Sequence, residues 1–223
     1  MTSIGPQRSS APTPHPCRII SSDDDVAEGA AWLAAADPRL GAALAVVGPL
    51  DLRRRGDGYA ALMGAIVSQQ VSVASARAIL ARCEAAGLGD PAVAEGTSDE
   101  AMRACGLSRQ KARYLRALAA ARIDYEALRE APTEEVVATL VAVPGIGRWT
   151  AEIYAMFSLG HADVFAPGDL ALQEGARLAL ALPERPTERG LRAMAEAWSP
   201  WRAVAARLLW AYYAHARRRE GTL

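Results

Sequence analysis

A chain of 223 residues, 51% of them apolar, is long enough for one or two closely packed domains with a full core. Its 25 basic and 25 acidic side chains cancel, which excludes a uniformly basic polyanion binder and leaves only local charge to steer a partner. The longest apolar stretch, residues 40–50, is too short to cross a bilayer and is broken by Gly and Pro, so no membrane contact is expected.

Residues 1–22 carry Pro, Ser and Arg without an apolar signal core and read as a disordered tail. A first helical region covers about 25–47, with Trp32, Leu33, Leu40 and Leu44 as core positions, and Gly48-Pro49 and the run from Arg53 to Gly58 end it. Tyr59, Leu62, Met63, Ile66 and Val67 then fall at i, i+3, i+4, i+7 and i+8, an amphipathic helix that stops at Ser68-Gln69-Gln70. Ser72 opens the next helix, to about residue 86, and residues 87–96 read as loop. Ser98 caps a short helix ending at Gly106, and Ser108 caps a longer one to about 123. Further on, Asp169 begins a helix to about 182, Pro183 and Pro186 interrupt, and Thr187 caps a helix to Trp198. The last helix carries Trp201, Val204, Ala205, Leu208, Leu209, Tyr212 and Tyr213 at regular helical spacing. The whole reads as all-α. Cys17, Cys83 and Cys105 are spread too widely along the chain for a metal motif or a disulfide framework, which fits a reducing cytoplasm.

The most informative stretch lies between these helices. Thr133 reads as the N-cap of a short helix whose Val136, Val137, Leu140 and Val141 face inward. Pro144 stops it, Gly145 and Gly147 permit a tight turn and a close approach, and a second helix starts near Arg148 with Ala151, Ile153, Tyr154 and Phe157 inward. The unpaired N–H groups that open that helix suit a phosphate oxygen. Asp169 follows Gly147 by 22 residues, in the loop Phe165-Ala166-Pro167-Gly168-Asp169. Charge is unevenly spread: residues 53–122 carry a surplus of five cations and 201–223 a surplus of four, against a deficit of three in 1–52 and six in 123–200. Polarised faces of this kind can guide a polyanion even at zero net charge.

Three separated motifs, Ile66-Val67-Ser68-Gln69-Gln70-Val71-Ser72-Val73, Pro144-Gly145-Ile146-Gly147-Arg148-Trp149-Thr150-Ala151 and Trp198-Ser199-Pro200-Trp201-Arg202, occur in the order in which this chain resembles the helix-hairpin-helix DNA glycosylases. Within that superfamily it is most similar to the alkylbase branch typified by DNA-3-methyladenine glycosylase II, in a compact form without the extra N-terminal domain that this length cannot hold. The resemblance covers about 58–213. It implies two all-α lobes with a cleft between them: 23–54 packing with the C-terminal lobe, 55–160 bearing the helix-hairpin-helix at about 133–159, and 161–219 carrying the acid.

The same resemblance implies residue roles. Asp169 would be the catalytic carboxylate, answering positive charge on the sugar as the glycosidic bond breaks. Trp149, Tyr154, Trp201, Ile153 and Leu170 would line the base pocket, with indole faces drawing a cationic alkylpurine. Gly145, Gly147, Arg148, Thr150, Gln69 and Gln70 would contact DNA, Gln70 at the position that fills the gap left by an extruded nucleotide. Carbonyls of Val141, Val143 and Ile146 would hold a structural monovalent cation, Na or K; the reaction itself requires no cofactor. Arg202 is expected to bond either backbone or the loop of Asp169. Trp149 stands where strand-cutting relatives have a Schiff-base lysine, and the last Cys, Cys105, lies too early for a C-terminal iron–sulfur cluster, so base release without strand cleavage is expected. The implied partner is double-stranded DNA with damaged bases, engaged by a monomer at the bacterial nucleoid in the cytoplasm. A non-catalytic hairpin clamp on DNA, and a glycosylase for other damaged bases, stay open as alternatives.

Overall fold

The computed structural model describes residues 18–220, which form helices joined by short turns, with a single bridge between Ile19 and His161 as the β pairing among the described residues. Caps decide where the helices begin. Helix α1 (Asp23–Ala36) opens with a reciprocal box: the Ser22 hydroxyl accepts the Asp25 N–H while the Asp25 carboxylate accepts the Ser22 N–H. The expected single helix over 25–47 is split at Asp37-Pro38. Proline suits the first position of a new helix, and the Asp37 carboxylate accepts the Arg39 N–H, so α2 (Pro38–Val47) starts afresh.

Helix α3 (Gly58–Ser68) buries Tyr59, Leu62, Met63, Ile66 and Val67 as the spacing predicts. Ser72, Ser98 and Ser108 accept N–H groups at the starts of α4 (Val73–Ala85), α6 (Asp99–Ala104) and α7 (Arg109–Ala120). Between them, the stretch read as loop contains α5 (Pro91–Gly96), opened by Asp90 and Pro91, and Asp124 opens α8 (Tyr125–Glu130), which the sequence reading passed over. Helix α9 (Thr133–Val141) has Pro132 rather than Thr133 at its N-cap; Thr133 is its first helical residue, and its hydroxyl meets Nδ1 of His161 at 2.9 Å. Helix α10 (Arg148–Tyr154) runs into a π-helical turn (Ala155–Leu159), and α11 (Leu170–Ala179) and α12 (Glu188–Ala195) start at Asp169 and Thr187. Helix α13 (Arg202–Glu220) completes the chain's helices.

Helices α1, α2 and α11 pack on α13, while α3 packs on α4 and α7 and α9 packs on α10. Two expectations about the N-terminal part fail. Trp32 is 38% exposed instead of buried. Residues 18–22 are not a loose tail: Ile20 is fully buried, its N–H donates to the Gly160 carbonyl, and the Ala162 N–H donates to Arg18. Residues 1–17 of the expected tail lie outside the described residues. Arg207 of α13 is also buried, donating to the carbonyls of Leu52 and Ala203, which fixes the 48–57 connection against the C-terminal helix. No helix among the described residues is long and apolar enough to cross a membrane.

Candidate active site

The turn between α9 and α10 is held by its own backbone: the Val143 N–H donates to Leu140 and the Ile146 N–H to Val143, each at 3.1 Å. Gly145 sits at φ +95°, and a Cβ there would lie 2.3 Å from the Tyr114 ring, so both conformation and space demand glycine. Gly147 differs, because a Cβ on it would meet nothing within 4 Å. It is the N-cap of α10 and has no side chain of its own to cap the first N–H groups, which are left for another acceptor. Gln69 reaches across to donate its amide to the Gly145 carbonyl at 2.9 Å, and Lys111 donates to the Val67 carbonyl at 2.7 Å. Gln69, Gln70, Lys111, Tyr114, Gly145 and Gly147 thereby border a groove of about 580 Å³. Gln70 itself is exposed and adopts a left-handed φ of +54°, uncommon for a residue with a side chain, on a loop whose Val71 is also exposed, as is Val73 at the start of α4.

Arg148 faces elsewhere. Its Nε donates to Glu152 at 3.0 Å, and Arg192 shares the same carboxylate oxygen at 3.3 Å. Glu152 is buried, and burial raises its pKa above the ordinary carboxylate range against the pull of Arg192 and Arg148. These residues line a separate cleft of about 270 Å³.

The loop carrying Asp169 is fixed by the Gln173 amide, which donates to the Pro167 carbonyl at 2.8 Å, and by the Asp169 N–H on Ala166. The Asp169 carboxylate receives three donors. Oδ1 accepts the Leu172 N–H at 3.0 Å, as the N-cap of α11, and the indole N–H of Trp210 at 3.2 Å; Oδ2 accepts the indole N–H of Trp149 at 2.9 Å. Trp149 is 48% exposed and borders a cavity of about 510 Å³ together with Thr150, Ile153, Tyr154, Gln69 and Arg55. The Tyr154 hydroxyl on that wall accepts the Gly58 N–H at 2.8 Å. The structure thus brings Trp149, Ile153 and Tyr154 together on one cavity, which Trp149 links to Asp169, and it places Thr150 on that cavity and not in the hairpin groove.

Two residues expected in the pocket do not line it. Trp201 is 2% exposed, packed on Gly29 with the Arg18 guanidinium 4.1 Å from its ring centre, and is a core residue. Leu170 is 63% exposed and is not among the residues that line the cavity. Trp210, which the sequence reading missed, is the second aromatic that reaches Asp169. Its signal was positional: it lies off the apolar stripe of α13. Asp163, six residues before Asp169, is spent on structure, accepting the Ser199 hydroxyl and the Arg202 Nε, and Arg202 also reaches the Asp163 carbonyl. That fixes Arg202 on the early part of the Asp169 loop.

A hairpin with open backbone N–H groups, a cavity near it and a carboxylate held by two indoles thus occur together in an all-helical chain. The chain belongs to the HhH-GPD superfamily of base excision DNA repair proteins, whose family model matches residues 63–202. It is 35% identical to DNA-3-methyladenine glycosylase 1 of Schizosaccharomyces pombe over 161 residues, 68% of this chain and 71% of that protein. Among solved structures, DNA-3-methyladenine glycosidase from Bacillus halodurans superposes with a TM-score of 0.77 at 32% identity, covering 89% of this chain and 92% of that one. The S. pombe enzyme Mag1 in complex with abasic DNA superposes at 0.71 and 31% identity, covering 82% and 95%.

Proposed function

We infer that this protein is a monofunctional DNA glycosylase that hydrolyses the N-glycosidic bond of alkylated bases in duplex DNA and leaves an abasic site. The observation that carries the reading is the Asp169 carboxylate, gripped by the N–H groups of Trp149, Trp210 and Leu172, with Trp149 also bordering a cavity of about 510 Å³. The fungal relative solved with abasic DNA, the product such a reaction leaves, supports it.

The residues divide the work as follows. The hairpin groove takes the backbone next to the lesion through the N–H groups of Gly145 and Gly147, a grip that carries no sequence information. Three neutral carbonyls, those of Val141, Val143 and Ile146, suit a monovalent cation, which would supply positive charge to a phosphate; the Val143 oxygen already takes the Ile146 N–H and keeps its second lone pair. Gln70 and Val71, on the exposed loop, fill the space left in the stack. The base enters the cavity against the Trp149 face, whose π cloud attracts a cationic ring. A carboxylate has about four acceptor sites. Three on Asp169 are occupied, and the one remaining on Oδ2 faces the positive sugar or the attacking water. A cationic base leaves as a neutral molecule, so the site needs no strong general acid.

Trp149 occupies the position of the Schiff-base lysine in strand-cutting relatives, and an indole forms no imine. Methylated duplex incubated with the protein should therefore release free base while the strand stays intact, and borohydride should trap no protein–DNA adduct. A trapped adduct would sink the monofunctional assignment, and no released base would favour the clamp without catalysis.

A further inference from the structure

Excision requires the phosphate grip, the gap-filling loop and the base cavity to act on one nucleotide together, and one side chain joins all three. Gln69 is the residue common to the walls of the cavity and of the hairpin groove, and it directly precedes Gln70. Its backbone is tied to the end of α3: its N–H donates to the Ile66 carbonyl at 3.3 Å, and Lys111 donates to the neighbouring Val67 carbonyl at 2.7 Å. The resemblance puts the Gln69 side chain on DNA, but its amide nitrogen is committed to the Gly145 carbonyl at 2.9 Å, 76 residues along the chain. A carbonyl only accepts, so the amide has one possible orientation, with its NH2 toward Gly145. The hairpin is the fixed partner in this bond. The same peptide's N–H, on Ile146, donates to Val143 at 3.1 Å, and Gly145 lies against the Tyr114 ring. No other hydrogen bond among the described residues joins 68–71 to 142–147. Loss of the Gln69 bond would therefore free the loop and leave the hairpin in place.

Resting on the glycosylase reading, we propose that Gln69 is a positioning residue that couples phosphate capture by the hairpin to filling of the gap by Gln70. Extruding a nucleotide costs its pairing and stacking, and the extruded state lasts only while the loop occupies the vacated place. A loop free to swing would have to be ordered at each encounter with DNA, at a cost in conformational entropy. With the Gln69 bond in place that ordering is complete in the folded protein, and Gln70 follows one peptide later at its left-handed φ of +54°. Once the hairpin holds the flanking phosphate, Gln70 is already at a fixed distance from it, and the two act as one rigid device. Gln69 touches no reacting atom in this scheme. It raises the fraction of lesions held out of the duplex and leaves bond cleavage and the grip itself unchanged.

The test is single-turnover excision of 7-methylguanine from two duplexes, one pairing it with cytosine and one placing it opposite an abasic analogue, where no pairing opposes extrusion. Wild type, Gln69→Met, Gln70→Ala and the double variant are compared, with melting curves and binding titrations on undamaged duplex. Met keeps the length and removes the donor. In Gln69→Met the rate on the paired lesion should fall at least tenfold, while the loss on the unpaired lesion stays within threefold and binding to undamaged duplex within twofold. The double variant should match Gln70→Ala, because Gln69 then has nothing left to position. Equal losses on the two duplexes, losses that multiply in the double variant, or a paired rate within twofold of wild type each overturn the proposal. Binding to undamaged duplex that weakens in step with the rate overturns it too, since Gln69 would then belong to the phosphate grip. If Gln69→Met melts below the assay temperature, Gln69→Asn is read in its place, its amide being one methylene too short to reach Gly145. Wild-type protein that releases 7-methylguanine from neither duplex overturns the glycosylase reading itself, and the proposal with it.

Discussion

Asp169 caps α11 and is the acid proposed for the site, and one substitution separates the two roles. In Asp169→Asn the amide oxygen can still accept the Leu172 N–H, since Asn caps a helix about as well as Asp. The amide NH2 must then face an indole N–H, so one indole hydrogen bond is lost, at a cost of about 1 kcal/mol. The charge that answers the developing sugar cation is lost too, about 3–4 kcal/mol for comparable fixed electrostatic contacts. Excision should fall at least ~100-fold while the variant melts within a few degrees of wild type and still binds DNA. Single-turnover rates beside a binding titration check this, and full activity in the folded variant moves the catalytic role elsewhere. Asp169 and Trp149 were named in the sequence through the resemblance carried by the hairpin and the Pro-Gly-Asp loop, and the structure joins their side chains by a hydrogen bond of 2.9 Å. The places of Trp210 and Trp201 were not legible there. Their surroundings are set by how α13 crosses α11 and α1, and Trp201 is covered by Gly29, far away along the chain.

At the scale of elements, the two hairpin glycines look alike in sequence and differ in the structure. Gly145→Ala meets the Tyr114 ring at 2.3 Å and a left-handed φ together, so the turn must shift. It should lose about 1–3 kcal/mol of stability, a drop of several degrees in melting temperature, along with its DNA affinity. Gly147→Ala meets nothing within 4 Å and needs no unusual φ, so it should melt close to wild type, with at most about 1 kcal/mol lost for the weaker cap. Its new methyl projects where a phosphate would approach, and DNA affinity should fall about tenfold or more. Equal affinity for wild type and Gly147→Ala would remove the backbone grip from this turn. Helix starts marked by Ser72, Ser98, Ser108 and Thr187 follow from a cap that advertises itself. Helices α5 and α8 escaped because six residues are too few to establish a period, and only their Asp90 and Asp124 caps announced them.

At the scale of the whole molecule, residues 160–162 are a junction. Ile20 donates to Gly160, His161 donates through its backbone to Ala155, Ala203 donates to Ala162, and the His161 ring meets Thr133 of α9. The N-terminal segment, the hairpin helices and α13 are all tied there. His161 is fully buried and its Nε2 finds no partner among the described residues, so a charge on this ring would have nothing to receive it. Burial pushes its pKa down to about 4, with Glu134 pulling the other way and Arg54 adding a smaller repulsion. Because the unfolded chain binds the proton near pH 6.5 and the folded one only near 4, stability is fully present above that window and lost as pH falls through it. The loss from this group should reach about 2 kcal/mol between pH 7.5 and 5. Glu152, whose pKa burial raises, acts with the opposite sign as pH falls, so the wild-type curve alone does not isolate the histidine. The comparison with His161→Met does, since that side chain fills similar space and never titrates. Denaturant unfolding at pH 7.5, 6 and 5 should show the variant losing less stability across the range than wild type, even if it starts lower for want of the Thr133 contact. Parallel curves for the two proteins would mean that the junction opens before His161 is protonated, or that water reaches the ring in the folded state.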